Sequence, residues 1–121
     1  MSIRVLVCGG RGFQDRRLVL SVVARLRPSL VIEGGARGAD SCARWAAQRL
    51  GVPVREFPAD WGRFGRRAGF LRNAQMLREG QPSLVVAFPG GVGTACMVRL
   101  ARQAGVPVSL VSAEGHFKEV K

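Results

Sequence analysis

Hydrophobic residues are grouped in five short runs along the chain, and more polar segments separate them. The runs cover residues 3–8, 30–33, 52–57, 83–88 and 106–111. A strand that is covered on both faces is apolar at almost every position, as most of these runs are. The pattern therefore predicts five strands in the interior of a sheet.

The segments between the runs place apolar residues three and four positions apart, which is the spacing of an amphipathic helix. Helices are predicted over residues 15–26, 39–50, 67–79 and 94–104. Glycine is common just beyond the end of a helix, and a glycine follows each of the last three segments. Those residues are Gly51, Gly80 and Gly105.

Strands that alternate with helices indicate βαβ units and a parallel sheet. Right-handed crossovers then favour a single α/β domain over residues 1–121, with the doubly wound, Rossmann-like fold. We expect a five-stranded parallel sheet in the order 3-2-1-4-5, with helices on both faces. Residues 112–121 are polar, and we expect them to form a loosely held tail.

The chain is strongly basic, with 19 Lys and Arg residues against 8 Asp and Glu residues and a net charge of +11. This balance favours an anionic partner such as a nucleotide or a nucleic acid, and a solvated basic surface is the alternative. No apolar run is long enough to span a membrane, and no signal-peptide pattern opens the chain. The three cysteines lack metal-ligand spacing and fit a reducing cytoplasm, where we expect the protein.

Three glycine-rich loops follow the first, second and fourth predicted strands. In a doubly wound sheet all three lie at the carboxyl edge, where ligands bind. With the expected strand order, the first and third loops face each other across a crevice. The candidate ligand-binding residues of these loops are Gly9, Gly10, Arg11, Gly34, Gly35, Arg37, Gly38, Asp40, Pro89, Gly90, Gly91, Gly93 and Thr94.

The third loop reads Pro-Gly-Gly-Val-Gly-Thr over residues 89–94. The backbone N–H groups of its glycines can surround a phosphate because no Cβ holds the anion away. The next helix points its positive end at the same place, and Thr94 is a candidate helix cap or ligand. A tight turn without a ligand is the alternative. The first loop lacks the dinucleotide fingerprint, unless Glu33 acts as its acidic ribose ligand, and no Walker sequence is present.

Further candidates lie outside the glycines. Asp40 begins a predicted helix and either balances the helix dipole or holds a ribose hydroxyl. Asp60 and Trp61 lie in the longest irregular stretch, where Trp61 either stacks on a base or closes the end of the core. Arg72 and Asn73 share a helix stripe beside the apolar face, which indicates a site wall or a surface ion pair.

The sequence lacks the residues for a histidine-based catalytic triad or a zinc site. The one histidine, His116, lies in the predicted tail, so a histidine-based triad is not expected. His116 and the cysteines form no zinc pattern. We therefore expect no metal ion and no cofactor.

Several segments resemble the SLOG superfamily, and its small YspA/YpsA-like branch in particular. The segments are residues 34–40, 57–61, 68–73 and 87–94, and the resemblance extends over residues 3–111. It implies a Rossmann-like fold, a nucleotide-type small-molecule ligand and a homodimer.

The superfamily also includes the Lonely Guy enzymes, which cleave the N-glycosidic bond of nucleoside monophosphates, and the Rossmann domain of DNA-processing protein A. The Lonely Guy motif is Pro-Gly-Gly-x-Gly-Thr-x-x-Glu, preceded by Arg-Lys-x-x-Met. Arg72 and Met76 match it, but Asn73 replaces the lysine and Met97 stands at the catalytic glutamate position. The resemblance thus implies the phosphate seat but not the hydrolase mechanism, and Arg72, Asp40 and Asp60 remain the catalytic candidates.

Three functions stay open at this point. The first is binding of a nucleotide or nucleotide-derived signal such as AMP, ADP-ribose or an NAD-like molecule. The second is cleavage of a nucleoside 5′-monophosphate. The third is binding of single-stranded nucleic acid by the basic surface.

Overall fold

The five apolar runs form the parallel part of one sheet in a computed structural model that describes residues 2–120. The strands are β1 (Arg4–Cys8), β2 (Leu30–Glu33), β3 (Val54–Glu56), β4 (Leu84–Ala87) and β5 (Val108–Val111). They lie in the order β3-β2-β1-β4-β5, and every neighbouring pair is parallel. The predicted Rossmann-like fold and strand order are confirmed.

A sixth strand extends the sheet, so the predicted count of five was wrong. Strand β6 (Phe117–Val120) pairs antiparallel with β5, from Val111 opposite Phe117 to Val108 opposite Val120. The expectation of a loosely held tail is corrected with it. The sequence signal for a strand is weak in Phe-Lys-Glu-Val because this edge strand is largely exposed. Its backbone hydrogen-bond partners come from pairing with β5.

The helices are α1 (Arg16–Leu26), α2 (Ala39–Leu50), α3 (Trp61–Phe64), α4 (Ala68–Gly80) and α5 (Val92–Gln103). The side chain of Asp15 accepts from the backbone N–H of Leu18 and caps α1, whereas Gly51 ends α2 in the left-handed conformation that glycine tolerates. The stretch predicted to be irregular contains α3 and a short 3₁₀ turn, Gly65–Arg67.

The two faces of the sheet carry separate hydrophobic cores, because successive strand residues point to opposite sides. Val5 and Val7 face α1 and α2. The core on this side includes four buried alanines of α2. Leu6 faces the other way and packs with Met76 of α4 and Met97 of α5. These cores hold the carboxyl ends of β1, β2 and β4 side by side.

The loops at that edge are joined by backbone hydrogen bonds. Gly10 donates to the carbonyl of Pro89 at 2.8 Å, which joins the loop after β1 to the loop after β4. The carbonyl of Gly10 accepts from Ala39 at 3.1 Å, which joins it to the start of α2. Within residues 2–120, no helix has the length and apolar character needed to cross a bilayer.

Candidate functional site

A cleft of about 590 Å³ opens at the carboxyl edge of the sheet, between the loops after β1 and β4 and one face of α4. Residues from distant parts of the chain meet there because β1 and β4 are neighbours. The predicted site residues that line this cleft are Gly9, Gly10, Arg11, Asp40, Trp61, Arg72, Asn73, Gly91, Gly93 and Thr94.

A second compartment of about 280 Å³ adjoins the cleft. Its own walls include Gly34, Gly35 and Arg37 from the loop after β2. The two spaces share four lining residues, which are Arg11, Ala36, Trp61 and Arg72. A molecule in the cleft therefore has direct access to the loop after β2.

The other predicted site residues lie elsewhere. Pro89 and Gly90 line a third space on the far side of the loop after β4. Asp60 caps α3, where its side chain accepts from the N–H of Arg63 at 3.0 Å, and it lines none of these three spaces. Gly38 has a φ of +76° and packs against the backbone of Gly10 and Arg11. Gly38 and Asp60 thus have structural roles.

The glycines of the loop after β4 differ in what surrounds them. A Cβ at Gly90 would lie 2.6 Å from the backbone nitrogen of Gly10, so internal packing explains that glycine. A Cβ at Gly91 or Gly93 would meet nothing within 4 Å, and φ is not positive at either residue. Close packing within the chain does not require these two glycines, and both line the cleft.

The N-terminus of α5 faces the cleft without a side-chain cap. Its N-cap residue is Gly91, which has no side chain to accept from the first turn, and Thr94 does not replace it. The first helical bond is donated by Ala95 to the carbonyl of Gly91 at 3.0 Å. The preceding N–H groups are the donors that a helix N-terminus offers to an anion.

Two adjacent residues of α4 join the loop after β2 to α5. The guanidinium of Arg72 donates from Nη1 to the carbonyl of Gly34 and from Nε to Oδ1 of Asn73 at 3.1 Å. The amide of Asn73 donates in turn to the carbonyl of Gly93 at 3.3 Å. We call this chain of hydrogen bonds the Arg72–Asn73 bridge. It fixes the guanidinium between the two compartments and leaves its Nη2 group outside these bonds.

The charge of Arg72 has no close counter-ion among residues 2–120. No carboxylate of these residues forms an ion pair with it within 4.0 Å. Burial lowers the pKa of Arg72, and the more distant Asp40 opposes that shift. A partly desolvated, oriented guanidinium is the kind of group that binds phosphate or carboxylate.

Asp40 is the carboxylate that lines the cleft, but the residue is only 7% exposed. Its Oδ2 accepts from the N–H of Ala36 at 3.2 Å and so fixes the loop after β2. Burial raises the pKa of Asp40, while the bonds to Ala36 and Gly34 and the charge of Arg72 act in the opposite direction. The geometry gives Asp40 a role in loop shape.

Trp61 does not close the end of the core, because 47% of the residue is exposed. Its ring packs beside Gly69, where a Cβ would lie 3.3 Å from it. The guanidinium of Arg11 lies 5.2 Å from the ring centre, within the range of a cation–π contact. Trp61 thus presents an aromatic face between the two compartments.

Several residues of the cleft were not predicted from the sequence. Arg66 and Arg99 add positive charge, and Phe70 and Val92 are exposed on its walls. The helical spacing that Val92 and Arg99 share on α5, seven residues apart, was an available signal. Phe70 is an apolar residue of α4, but it is 49% exposed.

Glu33 does not act as a ribose ligand at this edge. It is completely buried, and its Oε1 accepts from the N–H of Gly35 at 2.6 Å. Its Oε2 has no hydrogen-bond partner among the described residues and lies 3.9 Å from the guanidinium of Arg44. Burial raises the pKa of Glu33 to about 8, and the neighbouring Glu56 acts in the same direction.

The fold and the cleft define a Rossmann-like protein with a candidate site at the carboxyl edge of its sheet. Residues 3–64 match the model of the YAcAr family, described as the YspA, cpYpsA-related SLOG family. The chain is also 42% identical over 117 residues to the Gene 61 protein of Mycobacterium phage D29, covering 87% of this chain and 93% of that protein. The chain belongs to the YspA/cpYpsA-related SLOG family.

Solved structures agree on the fold. The X-ray structure of TM1055 has a TM-score of 0.71 at 22% identity, over 89% of this chain and 72% of that one. UDP-glucose 4-epimerase from Bifidobacterium longum, solved with NAD⁺ and UDP, has a TM-score of 0.56 at 15% identity, over 90% of this chain and 36% of that one. Membership of the SLOG family is compatible with nucleotide binding, and the two solved structures show the fold.

Proposed function

We propose that this protein binds a phosphate-bearing nucleotide or a nucleotide-derived signal, with AMP, ADP-ribose and NAD-like molecules as the first candidates. The observation that carries the proposal is the meeting of two anion-binding groups in one cleft. One is the uncapped first turn of α5, and the other is the guanidinium of Arg72, which has no ion-pair partner among residues 2–120. Both favour an anion, and they act together on one bound phosphate group.

The rest of the cleft fits a nucleotide as well. Its volume lies within the range of about 300–1,000 Å³ that is usual for small-molecule sites. Trp61 offers a flat aromatic surface on which a base stacks, and Arg11 and Arg66 add positive charge. The NAD⁺ and UDP of the structurally similar epimerase support the same class of ligand.

Replacing Gly93 with alanine is expected to weaken nucleotide binding while it stabilises the fold. Alanine is favoured over glycine inside a helix by about 1 kcal/mol, and its Cβ meets nothing within 4 Å. The same methyl group blocks the approach of a phosphate to the first turn of α5. We expect at least a tenfold loss of affinity for AMP or ADP-ribose by calorimetry, together with a higher melting temperature.

Gly12→Ala is the matched control. Gly12 also has open space beside its Cα and no positive φ, but it does not line the cleft. We expect its nucleotide affinity to equal that of the unsubstituted protein. Equal affinity of the Gly93→Ala variant, or no binding of any tested nucleotide at millimolar concentration by folded protein, contradicts the proposal.

The chemistry of the cleft favours binding over cleavage of the glycosidic bond. Cleavage requires a carboxylate beside the developing ribosyl cation. Met97 is completely buried at the position of the Lonely Guy glutamate, Asp60 is a helix cap, and Asp40 is held by the loop after β2. No carboxylate of the described residues is exposed in the cleft.

We therefore expect the protein to bind AMP without releasing adenine. The measurement is chromatography of AMP after prolonged incubation with stoichiometric protein. Release of free base that disappears in the Asp40→Asn variant, while binding persists, contradicts this expectation and supports a glycosidase.

A further inference from the structure

The compartment behind the cleft has the composition of a second anion site. Its lining includes three arginines and no acidic residue, namely Arg11, Arg37 and Arg72. Arg37 is exposed, and among residues 2–120 none of the three forms an ion pair within 4.0 Å. The compartment is therefore a concave, positively charged space whose described lining residues include no counter-ion.

The acidic side chains around this loop have other partners. Asp40 accepts from the N–H of Ala36, and Glu33 accepts from the N–H of Gly35. Glu56 pairs with Arg44 at 2.6 Å on the outer side. Because these carboxylates have other partners, the guanidinium of Arg37 is available to bind an anion from solution.

The two compartments are arranged for one extended molecule. Trp61 and Arg72 line both of them, and the Arg72–Asn73 bridge joins the first turn of α5 to the carbonyl of Gly34. A phosphate on α5 and a second anion beside Arg37 thus lie on either side of the same guanidinium. In a nucleotide that carries two phosphates on one sugar, the sugar lies between the two anions.

We propose that the ligand is a nucleotide with two phosphate groups separated by a sugar, one on the first turn of α5 and one in the compartment of Arg37. This inference rests on the proposed function and narrows its ligand class. A nucleoside 3′,5′-bisphosphate and a short 5′-phosphorylated dinucleotide share this chemistry. A monophosphate fills only the α5 site and leaves Arg37 without an anion.

The test is calorimetry with AMP, ADP, adenosine 3′,5′-bisphosphate and the dinucleotide pApA. We expect the bisphosphate or pApA to bind about tenfold more tightly than AMP, because a charge-assisted hydrogen bond is added. ADP, whose phosphates are adjacent, should not show this gain. A preference for pApA over the bisphosphate identifies a dinucleotide as the source of the second phosphate, and the reverse identifies a mononucleotide.

Arg37→Gln is the decisive variant, and Arg17→Gln is its matched control. Arg17 is an exposed arginine of α1 that lines neither compartment. Arg37→Gln should abolish the gain of the doubly phosphorylated ligand and leave the affinity for AMP unchanged, whereas Arg17→Gln should change neither. Because the two variants have the same net charge, a difference between their affinities reports a local contact of Arg37 and not a general attraction of the basic protein for anions.

Three results overturn this inference. In the first, the bisphosphate and pApA bind no more tightly than AMP. In the second, ADP binds as tightly as they do. In the third, Arg37→Gln weakens the binding of AMP as much as it weakens the binding of the doubly phosphorylated ligands. If AMP binds normally in these cases, the proposed function stands and only the second anion site is rejected. If no nucleotide binds at all, both proposals fail.

Discussion

Replacing Arg72 with glutamine is expected to reduce nucleotide affinity by roughly a hundredfold, the largest effect of any single cleft residue. The change removes a cation that lines both compartments, as Arg11 does, and whose orientation is set by hydrogen bonds on two sides. It also leaves the carbonyl of Gly34 without its partner, so we expect a loss of about 1–3 kcal/mol in the free energy of unfolding. Calorimetry and urea denaturation measure the two effects.

A variant of Asn73 separates the effect of the charge of Arg72 on binding from the effect of its orientation. Asn73→Asp keeps an oxygen that accepts from Nε of Arg72, but it places a negative charge beside the guanidinium and removes the donor to Gly93. If Arg72 binds the phosphate, this variant should weaken nucleotide binding with Arg72 still oriented. Affinity that survives both Arg72→Gln and Asn73→Asp would show that the anion lies elsewhere.

Replacing Glu33 with glutamine is expected to stabilise the protein at alkaline pH and to have little effect at pH 5. The folded state holds the pKa of this carboxyl at about 8, raised first by burial from an ordinary value of 4.5. Between these two values the folded state keeps a proton that the unfolded state has released. The free energy of unfolding of the unsubstituted protein therefore falls as the pH rises from about 5 to about 8.

The contacts of Glu33 explain why glutamine is a suitable replacement. A glutamine oxygen still accepts from the N–H of Gly35, and its neutral amide has nearly the size and the zero charge of the protonated acid. Other charges near Glu33 are Arg44, at 3.9 Å from its Oε2, and Asp40. The variant thus keeps the shape of the loop after β2 and removes one titration.

Urea denaturation at pH 5 and pH 8.5 measures this difference. The slope that one proton contributes is at most about 1.4 kcal/mol per pH unit, so the variant should gain on the order of 2–4 kcal/mol at pH 8.5. Because other groups titrate in both proteins, only the difference between the two pH profiles is interpreted. Parallel profiles contradict a neutral Glu33 in the folded protein.

The secondary structure was largely predictable because its signals are local. The helical spacing of apolar residues and Gly51 predicted helix α2 over the residues that form it, Ala39–Leu50. Strand β2 was predicted at Leu30–Glu33 for the same reason, and the right-handed crossover rule then gave the order of the parallel strands. Strand β6 was missed because its side chains are mostly exposed and its stability comes from pairing with β5.

The position of the site in the fold was predictable, but the roles of several of its residues were not. The loops after β1, β2 and β4 meet at one edge because parallel strands all end there, so the sequence alone indicated the cleft. Asp40 and Asp60 both read as possible catalysts, yet one fixes a loop and the other caps a helix. Burial and partners depend on contacts between distant segments, which periodicity does not describe.

The sequence by itself determined the doubly wound framework, the three glycine-rich loops and the positive charge, because these follow from local pattern and composition. Only the tertiary structure decided that Arg72 reaches a carbonyl 38 positions away and that Asn73 reaches one 20 positions away. It also decided that Glu33 is buried and that the cleft has a second compartment beside Arg37. The physical reason is that hydrogen bonds, desolvation and cavities depend on distances in space, which the chain acquires only when its strands are paired.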